Sequence, residues 1–333
     1  MTHTGTAAGK AAEKEYGASI VADMIFIYEP SIGNDVRLFE RYIEAGVDFI
    51  QCHPAGDDHN ISQAVQRIAA MRRDVASRPD MCRLVLSVDD IRRAKADGKL
   101  AVGIQLEGFR CLERNLDMID VYYALGVRLC HPIFNVTNAI GGGCADGDDF
   151  GLTKFGRRVI AGMNEVGMIV DGAHCGHQTQ LDMIEVSSAP VVYSHHGIHR
   201  LHPQIRNLKD DVIRGCAGRG GVVGISGAGY YLGGAPSPER IFRHVDYVAQ
   251  MVGAEHVGLG LDWAAQPHSI AHAIKAAPDV WGGGLDAWQP IAFSPPSFIA
   301  GVVEWMDRAG YPESAVRGVL GGNWMRVASD VWK

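Results

Sequence analysis

What the chain lacks narrows its class. No apolar run in the 333 residues reaches the ~18 that a membrane-crossing helix needs, so no membrane partner is expected. No basic stripe offsets the formal net charge of −7, which argues against nucleic acid as a partner. The seven cysteines, at 52, 82, 111, 130, 144, 175 and 216, share no short repeated spacing. Cys52, Cys130 and Cys175 fall at or beside strand ends, so they read as buried thiols rather than disulfides. The opening MTHTGTAAGKAAEKEYG is small and polar and lacks the apolar centre of an export signal, so the expected setting is cytoplasmic. No segment repeats at a solenoid period. The chain does have apolar bulk: 47% apolar residues support a large core and exclude disorder.

Apolar runs that read as strands alternate with amphipathic segments that read as helices, and the connections are mostly short. The strand candidates are 18–27, 47–52, 83–88, 99–106, 127–130, 168–173, 191–193, 221–226 and 257–261. Between them, residues 60–78 put Ile61, Val65, Ile68 and Met71 on one face, and 154–165 end at Gly167. The alternation predicts a (β/α)8 TIM barrel of the metal-dependent hydrolase type. One barrel domain is expected over 1–333, with a loose leader at about 1–17 and C-terminal helices at about 296–333. The rival, an open doubly wound sheet, calls for a glycine-rich first βα turn, and that turn offers only Gly33.

Polar residues at strand C-termini are the ones to read as ligating or catalytic in such a barrel. Residues 168–196 contain two strand candidates, one leading into His174 and the other into His195, with helical spacing between. Alone, either histidine reads more simply as a core side chain satisfied by one hydrogen bond; the pair at equivalent strand ends favours a metal. Glu107 closes another strand and Asp262 the last one, with Asp23 just inside the first. One carboxylate and two imidazoles suit a zinc site with an open position. Zinc there lowers the pKa of water and polarises a carbonyl, while Asp262 can carry a proton between water and leaving amine. The competing readings are a capping or ion-paired carboxylate for Glu107 and an N-cap or turn aspartate for Asp262.

Most of the chain, roughly 19–332, resembles the membrane (renal) dipeptidase family of zinc metallopeptidases. The resemblance rests on Gly103-Ile-Gln-Leu-Glu-Gly, Gly151-Leu-Thr-Lys-Phe-Gly-Arg-Arg-Val-Ile, Met168-Ile-Val-Asp-Gly-Ala-His, Ala189-Pro-Val-Val-Tyr-Ser-His, Arg206-Asn-Leu-Lys-Asp-Asp, Val257-Gly-Leu-Gly-Leu-Asp and Gly321-Gly-Asn-Trp-Met-Arg-Val. It implies that Glu107 bridges two zinc ions, that His174 and His195 hold the second, and that Asp262 is the acid/base. It implies that Arg206 grips a substrate carboxylate, a task suited to its planar fork. It also implies that His131, in Leu129-Cys-His, contacts the substrate or its tetrahedral intermediate, with Phe134 marking a pocket wall that departs from the family. A homodimer comes with the resemblance.

The first strand departs most. The family's Asp-Gly-His-x-Asp, which holds the first zinc, is here Asp23-Met-Ile-Phe-Ile, with Ile25 and Ile27 at both ligand positions. The expected cofactor is therefore a single zinc rather than two. His53, after the second strand, and His196, in the loop after His195, are further candidates for metal and substrate contact. The glycine-rich stretch 140–149 is expected to be a mobile lid. The expected activity is cleavage of a dipeptide or small carboxylated amide. The alternatives are a hydrolase or lyase acting on a non-peptide metabolite, and a catalytically silent ligand-binding barrel.

Overall fold

The computed structural model describes residues 19–30, 33–282 and 284–333. The leader expected at 1–17 lies outside them. Among the described residues nine strands form: β1 Ala22–Ile27, β2 Phe49–Gly56, β3 Cys82–Leu84, β4 Leu100–Glu107, β5 Val127–His131, β6 Ile169–Asp171, β7 Val191–His196, β8 Val223–Ile225 and β9 Val257–Leu259. Eight of them pair in parallel in the order β1-β2-β4-β5-β6-β7-β8-β9. A parallel bridge between Phe26 and Trp263 brings the last strand back to the first. The Leu261 N–H donates to Asp23 Oδ1 at 2.7 Å across the same seam. The protein is a nearly closed (β/α)8 barrel.

The third strand is shorter than the expected 83–88. It pairs only with the N-terminal half of β4, outside the barrel circuit. Ser87 turns the chain into a helix by accepting from the Asp90 N–H, so the polar Ser-Val-Asp-Asp ends the strand early. The helices follow their local signals. Ile61–Ala76 starts in a capping box made by Asn60 and Gln63, and Lys154–Val166 ends at Gly167, whose φ of 87° is the left-handed cap favouring glycine.

The lower barrel interior is filled by Ala22, Phe49, Ala101, Leu129, Ile169, Val192 and Val222 packed with Trp324, Val327 and Ala328 of the C-terminal helix Asn323–Val331. Asn323 ties that helix beneath the barrel through Nδ2 bonds to the Ala254 and Val257 carbonyls at 2.8 and 2.7 Å. Gly258 is required by this packing, since a Cβ there would lie 2.3 Å from the Trp324 indole nitrogen. Sealing one end leaves the C-terminal mouth as the face for chemistry.

Candidate metal centre

The mouth collects a side chain from nearly every strand. Glu107 ends β4, His131 ends β5, His174 lies three residues beyond β6, and His195 lies in β7. Asp262 follows β9. His174 and Asp262 adopt φ of 67° and 57°, a region non-glycine residues seldom occupy, so the turns aim them inward at a conformational cost of ~1–3 kcal/mol each.

The partner behind each imidazole assigns its proton. His174 Nδ1–H donates to Asn135 Oδ1 at 2.8 Å, which leaves a lone pair on Nε2. His195 Nδ1 meets the Ser194 hydroxyl at 2.7 Å, and since that hydroxyl can accept as well as donate, the contact is compatible with a lone pair on His195 Nε2. His131 Nε2–H donates to Asp171 Oδ2 at 2.7 Å, which leaves a lone pair on a buried, unpartnered Nδ1. These lone pairs meet Glu107. Its Oε1 lies 2.7 Å from His174 Nε2, 3.5 Å from His195 Nε2 and 3.8 Å from His131 Nδ1, and the two Nε2 atoms are 3.0 Å apart. Four donor atoms able to offer lone pairs converge here, an arrangement that one cation would satisfy together. The Arg206 guanidinium stands in for one, donating through Nη2 to His195 Nε2 at 2.8 Å and His174 Nε2 at 3.0 Å. Glu107, His131 and His174 present ligand atoms all within 4.8 Å of one another. The donor set fits zinc, with Asn135, Asp171 and Ser194 as the outer partners that orient ligating histidines.

Burial, followed by the Arg206 charge, pushes the His174, His195 and His196 imidazoles well below their usual range, so they are neutral. Burial, followed by the nearby Asp262, pushes Glu107 well above the usual carboxylate range, the state a cation at the site would reverse. Burial pushes Asp262 up to about 7 against the pull of Arg206, and Tyr230 Oη donates to its Oδ2 at 3.2 Å.

The remaining candidates divide. His53 reaches the cluster from the other side, its Nε2 3.2 Å from Glu107 Oε2, with burial pushing it down to about 3. Phe134 stacks over the site with its ring 4.5 Å from the His174 ring. His196 donates through Nδ1 to the Arg206 carbonyl at 2.7 Å and faces Arg206 Nη1 at 3.3 Å with Nε2, so it props the arginine rather than lining the mouth. Asp23 lies apart, holding the barrel seam through Leu261. His131 presents a lone pair where steadying an oxyanion would need a donor, so its geometry groups it with the metal donors. The stretch 140–149 is tied down by bridges from Gly141 to Leu152 and Gly143 to Cys175, and by Asp149 accepting at the N-terminus of helix His177–Val186. It is not the free lid its glycines suggest.

Asp171, Ser194 and Asn135 are the buried partners of the site histidines that strand-end reading passes over. Asp171 carried a signal, a carboxylate inside the apolar run Met168-Ile-Val-Asp. Also passed over were the helices Pro267–Ala276 and Pro278–Trp281, which wall a cavity of about 330 Å3 beside Glu107.

Comparison with known proteins bears on the family and the fold. The family model described as membrane dipeptidase (peptidase family M19) matches residues 35–280, a stretch that begins after β1 and its two isoleucines. An uncharacterized dipeptidase of Schizosaccharomyces pombe is 29% identical over 318 residues, covering 88% of this chain and 70% of that protein. An amidohydrolase from Pseudomonas aeruginosa superposes with a TM-score of 0.87 at 28% identity, covering 96% of this chain and 99% of that one. A metallopeptidase from Rhodobacter sphaeroides, solved with a phosphinate mimic of L-Ala-D-Ala, shares the fold with a TM-score of 0.73 at 21% identity, covering 94% of this chain and 100% of its own. Among the described residues no helix is long and apolar enough to cross a membrane.

Proposed function

Because the chain belongs to the membrane dipeptidase family of hydrolases, we propose that it cleaves the amide bond of a dipeptide or another small carboxylated amide at a single-zinc centre. The observation that carries this reading is the convergence of Glu107 Oε1, His174 Nε2, His195 Nε2 and His131 Nδ1 on one point at the barrel mouth. These four would hold the ion. One ion rather than two follows from Ile25 and Ile27, whose side chains offer no donor. When bound, zinc supplies a Lewis acid and brings the pKa of water near neutrality.

The protein's own groups do the rest. Asp262, buried and poised near neutral pH, takes a proton from the attacking water and returns it to the leaving amine. Arg206, propped by His196, supplies the planar cation that docks the substrate carboxylate. Phe134 and the cavity wall offer the substrate an apolar surface beside the metal donors. A cytoplasmic homodimer is the proposed setting, and sedimentation at micromolar concentration reads the assembly.

The test is metal content of protein purified without chelator, paired with an assay on a dipeptide panel. One equivalent of zinc is expected, lost together with hydrolysis in His174→Ala and His195→Ala. Absence of both metal and hydrolysis in the unaltered protein overturns the reading and leaves a silent barrel.

A further inference from the structure

The place where first-strand metal ligands are missing opens onto the cavity beside Glu107. Ile27, at the end of β1, occupies one of those ligand positions and lines the cavity. Phe134, Ile270, Ala273, Ala277 and Trp281 complete its apolar wall, with the Phe134 and Trp281 rings 5.3 Å apart in edge contact. Glu107 and His53 form its inner edge, so an occupant is in direct line with the metal donors.

The four carboxylates around this space are already engaged, two with cationic or basic side chains, Asp57 with neutral donors and Glu107 with the histidines of the metal centre. Arg67 donates to Glu29 and to the Pro54 carbonyl. Asp58 pairs with His59. Asp57 is saturated, accepting from the Arg110 N–H at 2.7 Å, from Asn138 Nδ2 at 3.0 Å and from the Phe134 N–H at 3.2 Å. A free α-ammonium seated on the Phe134, Ile270 and Trp281 wall would be desolvated and would have to draw a carboxylate away from its present partners, which is costly. A neutral apolar group loses nothing there and gains by leaving water.

We propose that this cavity is an acyl-group pocket, and that the preferred substrate is an N-acyl amino acid with a neutral aromatic or branched acyl group rather than a free dipeptide. The proposal rests on the amide-hydrolase reading above. Water adds across the amide C–N bond, releasing the carboxylic acid from the pocket and the amino acid from the Arg206 side.

The experiment compares N-phenylacetyl-alanine, N-acetyl-alanine and phenylalanyl-alanine, which share a carboxyl-terminal half. The unaltered enzyme is expected to favour the phenylacetyl compound at least tenfold in kcat/KM over each of the others. Ala273→Trp, which fills the cavity, is expected to cut the phenylacetyl-to-acetyl ratio tenfold or more, and Trp281→Ala to shift preference to bulkier acyl groups. Preference for the dipeptide, or a ratio that neither substitution moves, overturns the pocket. Calorimetric binding of phenylacetate and of N-phenylacetyl-alanine separates the two readings should nothing be hydrolysed. Binding weakened by Ala273→Trp keeps the pocket while the hydrolase reading fails, and absence of binding in the unaltered protein removes the pocket as well.

Discussion

At the His174 imidazole, the proposed metal ligation depends on which nitrogen carries the proton, and a residue 39 positions away decides it: Asn135 Oδ1 fixes the proton on Nδ1. Asp171 acts in the same way on His131, and its carboxylate also accepts from the Ala173 and Ser194 N–H groups, so it orients a histidine and the turn that carries the next one. Asp171→Asn is therefore expected to weaken zinc binding about 10–100-fold, the usual cost of losing an outer-shell partner, as read by competition with a chromophoric chelator. An affinity unchanged by the substitution would remove His131 from the ligand set. Asp262 predicts a pH effect. Its burial raises the pKa to about 7, so the proton-accepting carboxylate form grows as pH rises, and log kcat/KM should climb with unit slope below about pH 7 and then level. A bound zinc moves that limb toward lower pH by favouring the anion. Asp262→Asn is expected to lose ~10²–10⁴ in rate and to abolish the limb; a variant that keeps the limb would assign it to another group.

Among the elements, β1 separates what the sequence makes legible from what it does not. The strands and their order follow from short apolar runs punctuated by glycine and polar caps, and Glu107, His174, His195 and Asp262 stand out because a polar side chain ending a buried strand has few structural uses. Asp171, Ser194 and Asn135 do not stand out, because their role is defined by the atom they touch across the barrel. The cavity wall over 267–281 escapes notice for another reason: its stripe of Ile270, Ala273, Ile274 and Ala277 is indistinguishable from an ordinary core face, and the wall matters only once the fold brings it over β1 and β2. The Ile25 and Ile27 substitutions, by contrast, are visible in sequence, and the loss of a second Lewis acid is worth several kcal/mol to a two-metal transition state. Ile25→His with Ile27→Asp tests whether the strand lost only its donors. Metal content is expected to rise from one equivalent toward two by elemental analysis of dialysed protein. If it stays at one in a folded variant, the backbone of β1 as well as its side chains has left the two-metal geometry; the register shift between Asp23 and Phe26 is where that departure would lie.

The barrel as a whole closes through a buried carboxylate, and this makes its stability depend on pH. Asp23 is fully buried at the seam, with Oδ1 accepting from the Leu261 and Ile25 N–H groups and Oδ2 without a partner. Burial outweighs those two bonds and the nearby Tyr42 hydroxyl and raises its pKa from 3.8 to about 7. Between those values the folded chain holds a proton that the unfolded chain has released. This group's contribution is therefore present in full below about pH 4 and is lost as pH rises through 7. The raised pKa corresponds to about 4 kcal/mol of stability at most, on the usual equivalence of ~1.4 kcal/mol per pH unit. Asp23→Asn keeps an acceptor for Leu261 and has no proton to lose. Relative to the unaltered protein, its stability in urea should rise between pH 5 and pH 8 by roughly 2 to 3 kcal/mol, the rest of that figure having been lost between pH 4 and pH 5, while buried groups that do not face Asp23 cancel in the comparison. A difference that does not change with pH would mean that the seam is closed by an ionised aspartate, and that its charge is balanced by a partner other than the two backbone N–H groups.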